Sequence, residues 1–277
     1  MTAADPMQTI LLATERTPFD AGAERLAIEL ARCSRRNLHV VMPLFGNPEY
    51  QVEAPDLLAS AEAGARQALA ALAAQAAAHE VVLASRVREG EEPWREIVDE
   101  ARELHADLLV TRRVGRRGVL ARLLVGGMVS QVAAHATAPV LMAAETATMW
   151  SQRVLAVVEP HARAAFALQV AVRLAGLGRA RLQAVCLGET GAAEAKALFE
   201  ATAEIARRER VAFEGVQDKG VLDASTARLV AASGADLLVL GLAHGRTTHG
   251  RLSAAVEALV GAVPCPIVIV GAHSAPA

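Results

Sequence analysis

Aromatic residues make up 3% of this 277-residue chain, and lysine occurs only at Lys196 and Lys219. So few rings cannot build the stacking platform on which single-stranded nucleic acid lies, and a formal net charge of -2 offers no basic field to a duplex. Nucleic acid is therefore not an expected partner. Neither lysine stands in a G-x-x-x-x-G-K-[ST] loop, which excludes a Walker-type phosphate site. Cys33, Cys186 and Cys265 are isolated, with no C-x-x-C spacing, so neither a disulfide framework nor a zinc knuckle is expected. We expect them as small buried hydrophobes. No uninterrupted apolar stretch reaches the roughly 18 residues of a bilayer span, and no membrane is expected as partner. Met1 to Met7 lacks the basic start and apolar centre of a signal peptide, so the expected location is the cytoplasm. G-x-S-x-G, H-E-x-x-H and G-x-G-x-x-G are missing as well, which leaves no motif that calls for a chemical step.

What the chain does contain is a repeat. Ala-Asp-Leu-Leu-Val occurs at Ala106 to Val110 and again at Ala235 to Val239, and each copy leads to a proline and an apolar run, Pro139-Val140-Leu141-Met142 and Pro266-Ile267-Val268-Ile269-Val270. Upstream, Ile10-Leu11-Leu12-Ala13-Thr14-Glu15 matches Val154-Leu155-Ala156-Val157-Val158-Glu159, so each half opens on an apolar strand that stops at a glutamate. A period this long means a duplicated domain and not a solenoid. The expected domains are residues 1–146 and 151–277, with Ala144 to Ser151 as linker. Each is long enough to bury a core of its own.

In the first half, strands are expected at Thr9 to Ala13, Leu38 to Leu44, Val81 to Val87, Leu108 to Thr111 and Val140 to Ala143. Thr17-Pro18-Phe19-Asp20 reads as a helix start, with Phe19, Leu26, Ile28, Leu30 and Ala31 as the buried stripe of a helix ending near Cys33. A long helix from about Pro55 to His79 takes Leu57, Leu58, Ala61, Ala65 and Leu69 as its inward face. A third helix follows Pro93, and a fourth runs from about Leu120 to Ala136. The second half repeats the order, with strands near Arg153 to Val158, Arg181 to Cys186, Val211 to Val216, Leu237 to Leu240 and Ile267 to Val270. Apolar strands alternating with amphipathic helices specify an α/β fold, two tandem doubly wound sandwiches around parallel sheets.

In such a sheet, ligands sit beyond the carboxyl ends of the strands, here between the first and fourth. That brings forward Ala13, Thr14 and Glu15 with Arg112 to Gly118, and Val157, Val158 and Glu159 with Gly241 to Gly250. A helix start with glycines beside it favours phosphate.

The opening strand that ends on an acid, the A-D-L-L-V strand that enters a glycine-containing loop, and the closing Ala138-Pro139-Val140-Leu141 and Cys265-Pro266-Ile267-Val268 resemble the universal stress protein family in its tandem form. The resemblance implies a five-stranded parallel sheet of order 3-2-1-4-5 in each half. It also implies ATP binding through G-x2-G-x9-G-[ST] after strand four, and a dimer in which fifth strands pair. Here the chain departs from the pattern. In the first half Arg112 takes the first glycine position, Gly115 keeps the second, ten residues separate it from Gly126, and Gly127 replaces the hydroxyl residue. In the second half Gly241 is kept, while His244, Ala254 and Ala255 fill the other positions. The family's strand-end aspartate is Glu15 and Glu159, one methylene longer.

The candidate ligand-binding residues are thus Ala13, Thr14, Glu15, Val41, Arg112, Gly115, Gly126, Gly127, Ser130, Glu159 and Gly241, with ATP or AMP as candidate ligands and no cofactor assigned. Arg112, Arg113, Arg116, Arg117 and Arg122 either hold phosphate where glycines are lost or form a solvated loop paired with Glu89, Glu91 and Glu92. Ser130 either meets a phosphate or bonds its own helix. Glu15 and Glu159 are either ligand acceptors or acids set beside a helix N-terminus. His244 and His249 lack a third metal ligand and read as loop residues. The leading expectation is a non-catalytic stress-response protein, an intrachain pseudo-dimer through Val140 to Ala143 and Ile267 to Val270. A homo-oligomer of the whole chain is the further assembly it allows. The alternative is an ATP- or AMP-binding first half, with weak nucleotide hydrolysis as a third.

Overall fold

The computed structural model describes residues 7–46, 55–113, 119–159, 161, 163–188, 192–223, 225–243, 246–248, 250–271 and 274. The first half runs β1 (Ile10–Ala13), a 3-10 turn (Pro18–Asp20), α1 (Ala21–Ser34), β2 (Leu38–Phe45), α2 (Pro55–Ala77), β3 (Leu83–Gly90), α3 (Pro93–Glu103), β4 (Leu108–Arg112), α4 (Val119–His135) and β5 (Val140–Ala143). The second runs β6 (Arg153–Val158), α5 (Ala164–Gly178), β7 (Arg181–Leu187), α6 (Ala192–Arg208), β8 (Phe213–Asp218), α7 (Ser225–Ser233), β9 (Leu237–Gly241), a hairpin of β10 (Thr247–Thr248) and β11 (Arg251–Leu252), α8 (Ala254–Ala262) and β12 (Ile267–Val270).

The main strands form one ten-stranded sheet of order β3-β2-β1-β4-β5-β12-β9-β6-β7-β8. Each half contributes the expected 3-2-1-4-5 order of parallel strands. The halves join where β5 and β12 run antiparallel, with Ile267 opposite Met142 and Ile269 opposite Val140. Both strands are then interior, so no apolar edge is left at the seam.

Side chains alternate along the inner strands and both faces there are covered, which is why those strands read as unbroken apolar runs, while the edge strands β3 and β8 are largely exposed. Ile10, Leu12, Val154 and Ala156 join α1, α2, α5 and α6 in one core that crosses the seam. Leu11, Ala13, Leu155 and Val157 join the other core, with α3, α4, α7 and α8. The repeated pentapeptide has a structural reason: its aspartate caps the amino end of the first strand. Asp107 accepts the backbone N–H groups of Gln8 and Thr9 at 2.8 and 2.9 Å. Asp236 does the same for Ser151, Gln152 and Arg153 at 2.8, 2.9 and 2.9 Å.

Several expectations are corrected. Phe19 is 56% and Leu57 71% exposed, so neither belongs to a buried face. Phe19 sits in the 3-10 turn ahead of α1, and the inward stripe of α2 begins only at Ala65 and continues through Leu69, Leu72 and Ala76. The third strand of each half starts two residues late, at Leu83 and Phe213, because Val81 and Val211 close the preceding helix instead. Their N–H groups donate to Ala76 and Ala206 carbonyls at 3.0 and 2.8 Å, after left-handed Glu80 and Arg210. This is a Schellman cap with its apolar residue folded back on the helix. Cys33 is exposed, whereas Cys186 and Cys265 are buried. The segment between the halves is packed: Arg25 donates to the Ala147 and Glu145 carbonyls at 3.0 and 2.8 Å, and buried Trp150 donates to the Leu174 carbonyl at 2.7 Å.

Candidate functional site

At the carboxyl end of β1, Ala13 is buried opposite Val41, and the Thr14 N–H donates to the Val41 carbonyl at 3.1 Å. The Val41 side chain is fully buried in the core and does not line the crevice. The Thr14 hydroxyl donates to Glu24 at 2.7 Å and accepts the Arg16 N–H at 2.9 Å, so its hydrogen bonds stay within the chain. Arg16, left-handed at φ 58°, also bonds Glu24 through its guanidinium.

Arg112 and Glu15, both candidate ligand contacts, are brought together and bind one another. Arg112 Nη2 donates to Glu15 at 2.8 Å, and Nη1 reaches Asp20 at 3.2 Å and the Thr17 hydroxyl at 3.3 Å. The Arg112 and Asp20 side chains are 6% and 1% exposed. Asp20 also accepts the Thr17 N–H and hydroxyl at 2.8 and 2.6 Å, which fixes the turn ahead of α1. An arginine at the first glycine position therefore fills the strand-end crevice from within.

The two described arginines of the cluster, Arg112 and Arg113, turn different ways. Arg113 turns toward the second half and donates to the Val263 and Cys265 carbonyls at 2.7 and 3.0 Å. Burial lowers its pKa and raises the nearby Cys265 thiol to about 11. Glu92 pairs with Arg95 at 2.5 Å. Arg116, Arg117 and Gly115 lie outside the described residues, and nothing is described of the Arg122 side chain.

Gly126 and Gly127 lie inside α4, past its first turn, which begins at Val119. Only the first four N–H groups of a helix lack intrahelical partners, so these two amides are not free to cradle a phosphate. A Cβ on Gly127 would meet nothing closer than Arg251 at 3.8 Å. Ser130 does not bond its own helix. Its hydroxyl donates to Glu257 at 2.6 Å and accepts the Leu252 N–H at 2.9 Å, latching α4 to the second half. The hairpin that carries Leu252, not anticipated from the sequence, lies over α4, with Gly250 (φ +70°) against His135.

The second crevice is filled in the same manner. Arg246 Nε bonds both oxygens of Glu159, at 3.1 and 2.9 Å, and its Nη2 closes the fork. The Glu159 carboxylate raises the Arg246 pKa. Gly241 ends β9, and a Cβ there would stand 2.8 Å from the Ala167 Cβ and 2.9 Å from Val158, so close packing on α5 explains this glycine. His244 and His249 lie outside the described residues, and among the described residues no group of three or more His, Cys, Asp or Glu could hold a metal. None of the helices described is long and apolar enough to cross a membrane.

Residues 6–144 match the family model described as "Universal stress protein family". No curated protein matches the chain. Among solved structures, a universal stress protein from Archaeoglobus fulgidus DSM 4304 is similar at TM-score 0.74 and 13% identity, over 96% of this chain and 97% of that one. A functionally unknown protein from Pseudomonas aeruginosa PAO1 follows at TM-score 0.66 and 15% identity, over 96% and 92%. The cytoplasmic domain of a prokaryotic cation chloride cotransporter shares the architecture at TM-score 0.55 and 11% identity, over 98% of both chains. At these identities the likeness concerns the fold, which by itself does not carry function.

Proposed function

The chain belongs to the Universal stress protein family, and from that premise we propose a cytoplasmic, non-catalytic stress-response protein whose strand-end crevices do not hold ATP. One observation carries the reading: in each half the acid closing the first strand is already bonded to an arginine of the same chain, Glu15 to Arg112 and Glu159 to Arg246. A nucleotide hydroxyl would have to replace a guanidinium with a neutral donor on the carboxylate and leave that arginine without its counter-charge, which costs more than it returns. At the phosphate end the amides of Gly126 and Gly127 are spent within α4. We read the β5–β12 pairing as an intrachain pseudo-dimer, in which the second half takes the place of a partner subunit.

Native mass spectrometry of freshly purified protein tests this. The expected spectrum is the bare chain, unchanged by added ATP or AMP, with no phosphate release above that of Glu15→Gln. A retained nucleotide that Gly127→Ala abolishes would overturn the proposal. It would favour the second reading, ATP or AMP in the first half, for which the open space beside Gly127 is the supporting observation.

A further inference from the structure

At the opposite end of the sheet, beside the amino ends of the strands, α1 and α5 pack across the seam and their carboxyl ends come together. A cavity of about 760 Å³ opens there, lined by Arg32, Arg35, Arg173 and Arg179 with Glu209 the only carboxylate among the described residues, and walled by Met7, Leu177 and Cys33. The volume lies within the range of small-molecule sites. Arg32 is paired with Glu29 at 2.5 Å and Arg173 with Glu209 at 2.9 Å. Arg35 and Arg179 have no carboxylate partner among the described residues.

These two arginines hold equivalent places in the two halves, the left-handed caps of α1 and α5 at φ 55° and 54°. Their guanidinium groups are not needed to close the helices. Backbone N–H groups do that: Arg35 and Arg36 donate to the Arg32 and Ala31 carbonyls at 3.2 and 2.9 Å, and Arg179 and Ala180 to those of Gly176 and Ala175 at 3.1 and 2.9 Å. Burial, then the Glu29 carboxylate, pushes the Cys33 thiol up, so the sulfur adds no negative charge to the cleft.

From this cavity and its two unpaired guanidinium forks we infer a binding site for a compact polyanion bearing two or more phosphate groups, gripped by Arg35 and Arg179 from opposite halves. A cleft lined by one sign of charge concentrates the opposite one, and planar forks match phosphate oxygens. Among the described residues no aromatic side chain lines the cavity, so the phosphate chain itself, and not a stacked base, is what is recognised. The site needs both halves and lies away from the crevices considered above.

Calorimetry with inorganic tripolyphosphate, at ionic strength matched with sodium chloride, tests it. We expect saturable binding of one ion per chain. Each of Arg35→Asn and Arg179→Asn should weaken it roughly tenfold, as loss of a charge-assisted bond does, and the double variant should lose it. Asparagine tolerates the left-handed backbone, so the caps persist. Arg207→Gln, which removes an exposed charge on α6, should bind as the parent does. Absence of saturable binding in the parent, or equal affinity in the double variant, would overturn the site. Should the double variant fail to fold, the single variants decide in the same way.

Discussion

In the first half, the acid that closes β1 is held by an arginine of the neighbouring strand β4. Arg112 is 6% exposed and divided between Glu15 and a carboxylate, Asp20, that is 1% exposed. In the second, Glu159 is held by Arg246, which comes from the chain beyond β9 and is 27% exposed. Arg112 is thus part of the core in one half, whereas in the other Arg246 is a partly exposed partner of an acid that is itself 15% exposed. A buried charge is costly to leave alone, whereas an accessible one is rescued by water. The two arginines are expected to contribute very differently to stability although they do the same thing to the crevice.

The sharpest way to break this comparison is to remove each arginine in turn. Arg112→Met strands the Asp20 carboxylate in the core and should cost about 3–5 kcal/mol in denaturant unfolding. Arg246→Met leaves Glu159, 15% exposed, partly open to water and with the Ala243 N–H still at hand, and should cost less, about 1–2 kcal/mol. Equal losses would mean that burial does not distinguish the two pairs. Adding Asp20→Asn to Arg112→Met should recover part of the loss, since the stranded charge disappears while both Thr17 bonds keep an acceptor.

The retained motif glycines differ between the halves as well. Gly241 is where β9 passes closest to α5, with Ala167 and Val158 under 3 Å from any added Cβ. Gly241→Ala should therefore destabilise the protein by about 1–3 kcal/mol, as overpacking does, and thermal unfolding will show it. An unchanged midpoint would mean that the strand and helix can part without cost.

How far the sequence alone reaches follows from the range of each interaction. The strands and the duplication were legible because a parallel sheet buried on both faces writes itself as apolar runs, Ile10 to Ala13 and Val154 to Val158 among them, whereas the strand order came only with the family resemblance. Helix ends were less so. Val81 and Val211 have the composition of a strand start, and only the left-handed residue before each shows that they close a helix. Glu15 and Arg112 were both picked out as candidates, but as ligand contacts. That they satisfy each other depends on a contact between residues 97 apart, which no local pattern records. Ser130 likewise finds partners on an unanticipated hairpin, at separations of 122 and 127 residues. The aspartate of the repeated pentapeptide was visible as a landmark, and its role as a strand cap became apparent only with Gln8 and Thr9 beside it.

The smallest expected effect separates the two readings of the first half most directly. Gly127 lies within α4, where no neighbour excludes a side chain, since the nearest atom to an added Cβ is 3.8 Å away. Glycine inside a helix costs roughly 0.5–1 kcal/mol relative to alanine, because more backbone freedom is lost on folding. Nothing in the packing offsets that cost. If the crevice holds no nucleotide, Gly127→Ala raises the unfolding free energy by about that amount and leaves the native mass spectrum with ATP unchanged. If the glycine serves a ligand that approaches the helix closely, the same variant is more stable and loses the nucleotide. Stability and binding then move in opposite directions, which neither a purely structural glycine nor a damaged fold can produce.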